Sequence, residues 1–115
     1  MGVEELRREL LDPSGRDGSA LVLLDVRSAA EYASGHVPGA LHVDLGRLSE
    51  AVRAGELDVH RGARLATVCE TGVRSAQAAV RLARVFGFAD VANVRGGTRA
   101  WAEAGFGLEG GGGRQ

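Results

Sequence analysis

The sequence predicts an α/β domain in which a central parallel sheet carries helices on both faces. Three observations predict it. Leu21-Val22-Leu23-Leu24, Leu65-Ala66-Thr67-Val68 and the stretch 91–94 are mostly apolar runs without polar alternation, as expected of strands covered on both sides. Each is followed by a stretch with helical spacing, and strands alternating with helices build a parallel sheet. At 115 residues the chain is long enough for one core and too short for two.

Val3, Leu6 and Leu10 fall on one side of a helix over 3–11, and Asp12-Pro13-Ser14-Gly15 stops it, with a loop running on through Asp17-Gly18. The first buried strand follows at 21–24. Ser28-Ala29-Ala30-Glu31 has the S-x-x-E pattern of a capping box and starts a short helix through Tyr32. The segment 35–40 reads as a turn and 41–43 as a brief strand. Leu45, Leu48, Val52 and Leu57 mark an amphipathic helix, loosened by Gly46 and ended by Gly55. After the strand at 65–68, residues 75–86 form the strongest helix, with Ala79, Leu82, Val85 and Phe86 on its inner face and Arg81 and Arg84 in solvent. Gly87 turns the chain, 91–94 is a strand, and Gly96-Gly97-Thr98 leads into a short helix containing Trp101 and closed by Gly105. Residues 110–115 read as a disordered glycine-rich tail.

Composition removes several function classes. The net charge of −1 gives no reason to expect a nucleic-acid or anionic-membrane partner. All fourteen Lys-plus-Arg residues are arginine, so lysine nucleophiles and Schiff bases are excluded. One cysteine makes neither an intramolecular disulfide nor a cysteine-based zinc site, and His36, His42 and His60 lack metal-ligand spacing. No metal and no cofactor are expected. The acidic start Glu4-Glu5 is unlike a secretory leader, and the longest apolar run, 20–24, is too short to span a bilayer. These points lead to the expectation of a cytoplasmic protein.

The single cysteine opens the run Cys69-Glu70-Thr71-Gly72-Val73-Arg74-Ser75, between a buried strand and a helix start. Amides of such a turn converge on negative charge and the helix N-terminus adds partial positive charge, so thiolate is favoured over thiol. Ligands of parallel sheets sit at the carboxyl ends of the strands, which is where Cys69 falls. The alternative is a cysteine acting as a small buried hydrophobe.

Four blocks in this order resemble rhodanese-like domains. They are Leu23-Leu24-Asp25-Val26-Arg27 with Glu31-Tyr32, then Gly35-His36-Val37-Pro38-Gly39-Ala40, then 69–75, and finally Val94-Arg95-Gly96-Gly97-Thr98-Arg99-Ala100-Trp101. The resemblance covers about 20–108 within a domain spanning 1–109. It implies a single domain with a five-stranded parallel sheet, and sulfur transfer through a persulfide on Cys69. The implied partners are a small sulfur donor, thiosulfate or a persulfide, and a thiol or cyanide acceptor, with a protein acceptor as a further option. Six residues from Cys69 to Arg74 match sulfurtransferase members; phosphatase and arsenate-reductase relatives carry one more. A non-catalytic docking or persulfide-relay module is the other alternative.

Within this reading Cys69 is the nucleophile and Arg74 either holds an anionic donor or braces the loop. The backbone of Glu70, Thr71, Gly72, Val73 and Ser75 lines the sulfur site. Gly72 relieves a crowded backbone position, and Ser75 donates to the sulfur or caps the next helix. Asp25 and Arg27 support the site region as a second shell, or form a structural ion pair. His36 is a structural hydrogen-bonder and Trp101 is core. Glu70 would oppose a thiolate if it faced inward, so it is expected to point outward.

Overall fold

The computed structural model describes residues 1–12 and 20–110. The helix stop and loop expected at 13–18 and the tail at 111–115 lie outside the described residues. Strands β1 (Leu21–Asp25), β2 (Leu41–His42), β3 (Arg64–Val68) and β4 (Asp90–Asn93) form one sheet in the order β2-β1-β3-β4. All three pairings are parallel, with Leu23 opposite Ala66 and Ala66 opposite Ala92.

Strand alternation splits the core into two layers. Leu24, Val26, Leu65 and Cys69 face one side, covered by Leu48, Ala51 and Val52 of α3 (Leu48–Arg53), Ala78 of α4 (Val73–Val80) and Leu82. Leu23, Ala66, Val68 and Val94 face the other, covered by Leu6 of α1 (Val3–Leu10) and Trp101 of α5 (Gly97–Glu103). Helices therefore flank a parallel sheet on both faces, as the apolar runs predict. None of the helices among the described residues is long and apolar enough to cross a membrane.

The described residues form four strands, one fewer than the resemblance implies. At the outer edge of β4 the Met1 amine donates to the Asn93 carbonyl (2.8 Å), and the Met1 carbonyl accepts from the Arg95 N–H (2.7 Å). These two bonds are one rung of a ladder. Helix α1 begins at Val3, so backbone that would extend the rung is already committed to helical hydrogen bonds.

Two helical segments depart from their expected form, and one keeps it. Leu45–Arg47 is a 3₁₀ turn, started by the Asp44 carboxylate accepting from the Gly46 N–H (2.8 Å), and α3 follows it only to Arg53, leaving buried Leu57 beyond the helix. Helix α2 (Ala29–Ser34) has the full capping box: the Glu31 N–H donates to Ser28 Oγ (3.2 Å) and the Ser28 N–H donates to Glu31 Oε1 (2.9 Å). Helix α4 starts at Val73, two residues before the expected start, and gives way to a π-helical turn over Arg81–Val85. The buried face is Ser75, Ala78 and Leu82, and Val85 is 67% exposed instead of lying in the core. A π turn holds one extra residue, so side chains beyond it are rotated out of the phase that even α spacing predicts.

At the carboxyl end of β1, the Asp25 carboxylate accepts from Arg27 through Nε (3.0 Å) and Nη2 (2.8 Å) and from the Arg27 backbone N–H (3.0 Å). Arg27 Nη2 also donates to the Gly35 carbonyl (2.7 Å), tying β1 to the 35–40 turn. Both side chains are buried. Removing one partner of a buried pair strands the other charge, which costs about 3–5 kcal/mol. Arg27→Leu is therefore expected to lower the unfolding free energy by that order in urea titration at neutral pH. A loss under about 1 kcal/mol would show the pair to be dispensable.

Candidate active site

The carboxyl ends of β1, β3 and β4 meet at one edge of the sheet, and the chain leaving β3 curls there into a cup. Cys69 is its floor. Its Sγ accepts from the Gly72 N–H (3.1 Å), the Ser75 N–H (3.3 Å) and the Ser75 hydroxyl (3.4 Å). Burial pushes the thiol pKa up, but hydrogen bonds from the Ser75 side chain and from the amides of Ser75, Gly72 and Thr71 outweigh it, and the net shift is downward. Cys69 is only 1% exposed. The loop closes so tightly over the sulfur that its donors take the place of water. An inert core cysteine has apolar neighbours on every side; this one has its carbons in the core and its sulfur among polar donors.

Two glycines make the cup possible. Gly72, the residue before α4, has φ +106, and a Cβ there would touch the Gly96 nitrogen and Val94 carbonyl oxygen at 3.5 Å. Gly97 opens α5 with φ +62, and a Cβ on it would overlap the carbonyl oxygens of Cys69 and Glu70. That close approach lets the Thr98 N–H donate to the Cys69 carbonyl (2.9 Å) and the Arg99 N–H to the Glu70 carbonyl (3.0 Å). A left-handed conformation alone costs a side-chain-bearing residue about 1–3 kcal/mol.

Asn93 at the end of β4 closes the rear wall. Its Oδ1 shares the single Ser75 hydroxyl proton with the Cys69 sulfur, and its Nδ2 donates to the Gly72 carbonyl (3.2 Å). Thr67 Oγ1 donates to the Ser75 carbonyl (2.8 Å). Ser75 is thus buried within α4 and directed at the sulfur, and the capping alternative is excluded because Gly72 occupies the cap position.

The rim carries two ion pairs. Arg74 forks onto Glu31, with Nη1 to Oε1 at 2.8 Å and Nη2 to Oε2 at 2.9 Å. Hydrogen bonding to Arg74 is the main reason the Glu31 pKa is lowered to about 2, against an opposing desolvation. Glu70 points outward, as anticipated, and pairs with Arg99 at 3.1 Å.

The structure brings together Cys69, Ser75 and the backbone of Thr71 and Gly72. The side chain of Val73 faces solvent at 66% exposure. Arg74 stands at the rim, engaged by both oxygens of Glu31. The hydrogen bonds of Asp25 and Arg27 run to each other and to Gly35, away from the loop. His36 serves structurally: its Nδ1 lies 2.8 Å from the Tyr32 carbonyl and its ring stacks on Tyr32 at 3.8 Å. Asn93 carries no sequence signal, and Glu31 is legible as a capping residue and part of a family block but not as the partner of Arg74. Gly97 stands inside a motif that by itself assigns it no physical task.

With this geometry in view, comparisons with known proteins are consistent. The rhodanese-like domain family model matches residues 6–104. The thiosulfate sulfurtransferase GlpE of Pseudomonas fluorescens is 38% identical over 80 residues, 70% of this chain and 69% of that protein. A sulfurtransferase of Allochromatium vinosum is 34% identical over 103 residues, 90% of this chain and 92% of that protein. The chain spans about half of a third relative, YrkF of Bacillus subtilis, 34% identical over 99 residues that make up 86% of this chain and 51% of that protein. The crystal structure of a thiosulfate sulfurtransferase from Pseudomonas aeruginosa superposes with a TM-score of 0.79 at 31% identity, covering 96% of this chain and 20% of that one.

A lowered thiol pKa is directly measurable because Cys69 is the only cysteine. The thiolate is the alkylated species, so the iodoacetamide rate against pH should reach half its plateau below the ordinary value of about 8.5. Ser75→Ala removes a donor and should move that midpoint upward. A wild-type midpoint at or above about 8.5 would mean burial prevails over the cup.

Proposed function

The chain belongs to the rhodanese-like domain family, and from that premise we propose that it is a sulfurtransferase working through a persulfide on Cys69. The observation that carries this reading is the convergence of N–H and O–H donors on the sulfur of the sole cysteine. In the first half-reaction the Cys69 thiolate attacks the outer sulfur of a donor. With thiosulfate the sulfur–sulfur bond breaks and sulfite leaves with the electron pair, giving Cys69–S–S⁻. With a persulfide R–S–S⁻ the leaving group is R–S⁻. In the second half-reaction a thiolate or cyanide attacks the terminal sulfur and returns Cys69 to thiolate. Each step conserves charge and needs no external oxidant.

The donors facing the sulfur can follow the charge outward as it moves to the terminal sulfur of the persulfide. Preorganised donors at developing charge are worth roughly 3 kcal/mol each in other enzymes. Arg74 and Arg99 are each engaged by a rim carboxylate, so a dianion finds little uncompensated positive charge there. This favours a persulfide of lower charge over thiosulfate as the better donor. A protein acceptor thiol is the companion proposal. The docking-module and phosphatase readings are separated from this one by assaying thiocyanate formation beside aryl phosphate hydrolysis.

Exposure to a donor should add one sulfur atom to the intact mass, cyanide should remove it, and Cys69→Ala should show no gain. Absence of the adduct with both thiosulfate and a low-molecular-weight persulfide would end the proposal. Glu70→Ala removes a negative charge from the rim and leaves Arg99 unpaired. It should raise kcat/KM for thiosulfate by a few-fold, within the roughly 1 kcal/mol scale of exposed charge pairs. An unchanged or lower value would remove repulsion by Glu70 from the account.

A further inference from the structure

We propose that the outer face of α4 and the π turn is a docking surface for a protein bearing an acidic, apolar segment, which it positions with a thiol at the mouth of the Cys69 cup. The thiol part of this inference rests on the sulfur-transfer reading above; the docking part does not. Val73, Val80 and Val85 are 66%, 57% and 67% exposed, and they account for three of the seven large exposed hydrophobic residues among those described. With Ala76 and Gln77 they share one helix face, and Ala76, Gln77, Val80, Arg81 and Val85 line a shallow groove of about 490 Å³. The π turn sends Val85 outward into line with Val80, where even α spacing would have put it in the core. From Val73 to Val85 the stripe is about 18 Å long, enough for three turns of a partner helix.

Charge identifies the occupant. Residues 73–86 contain Arg74, Arg81 and Arg84 and no acid. Arg74 is held by Glu31, but Arg81 donates only to the neutral Ser49 hydroxyl (3.4 Å), and Arg53 lies over the Phe86 ring (5.7 Å). Among the described residues Arg53, Arg81 and Arg84 belong to no ion pair, unlike Arg27, Arg47, Arg61, Arg64, Arg74 and Arg99. An apolar stripe edged by uncompensated arginines fits apolar side chains flanked by carboxylates, with the charges steering the encounter. The stripe begins inside the loop: Val73 directly follows Gly72, whose N–H donates to the sulfur. A partner seated on it is carried to the cup.

The test uses the whole chain and two fluorescein-labelled fourteen-residue helical peptides without cysteine, one of Glu and Leu, one of Lys and Leu. Anisotropy should show binding of the acidic peptide alone, weakened at least tenfold by Arg84→Glu or Val80→Ser, both exposed substitutions outside the cup. With a cysteine added to the acidic peptide as sulfur acceptor, the same variants should raise its KM about tenfold. Their kcat/KM toward free cysteine should stay within twofold of wild type. Equal binding of the two peptides, or variants that bind like wild type, overturns the proposal. So does sedimentation showing a wild-type dimer that the variants dissociate, because a second copy would then cover the face. If persulfide never forms and free cysteine receives no sulfur, the sulfur-transfer reading and the thiol-positioning role fail together; anisotropy still decides whether the face docks an acidic partner.

Discussion

The loop over Cys69 has to reverse the effect of burial. An apolar setting favours the neutral thiol, and this sulfur is almost completely covered. The net shift is nevertheless toward thiolate, because the coverage consists of donors. A peptide group presents N–H at one end and C=O at the other, so amides can face the sulfur only if their carbonyls are satisfied elsewhere. The first turn of α5 supplies that satisfaction for Cys69 and Glu70, and Asn93 supplies it for Gly72. The ends of β3 and β4 thus converge on one orientation problem, and Gly97 is required because a side chain would occupy the same space as the carbonyls.

The same economy governs the rim. Glu31 caps α2 and holds Arg74 with both oxygens, so one carboxylate links the first crossover to the loop. Glu70 is turned outward to Arg99, one residue beyond the Thr98 N–H that binds the loop from behind. The cup is therefore lined by neutral dipoles and bordered by compensated charges.

Helix α4 serves the site with its inner face and leaves its outer face unpartnered. Ser75, Ala78 and Leu82 point inward, Ser75 toward the sulfur and the other two into the core. The π turn then breaks the phase and tucks Phe86 against the core while Val85 turns to solvent. Local geometry at the far end of the helix thereby sets what the surface beside the active-site loop presents.

Much of the fold was legible in the chain itself. Uninterrupted apolar runs identify strands covered on both faces because polar alternation would bury polar groups, and Ser28 and Glu31 announce their capping box by spacing alone. The candidate reactive position was legible too, since one cysteine at a strand end before a helix start leaves no competitor. Strand number was misjudged because a rung at Met1 depends on where α1 begins, and the inner face of α4 because a π turn has no periodicity signal. The pairing of Arg74 with Glu31 has no local signal, because the two are forty-three residues apart. Sequence by itself determined where the buried strands lie and which atom the proposed chemistry centres on, as these follow from short-range spacing and residue type. Only tertiary structure decided the environment of that atom: Asn93, Gly97 and Glu31 act there through hydrogen bonds and close approaches between segments far apart in the chain, and such contacts exist only once the sheet has brought those segments together.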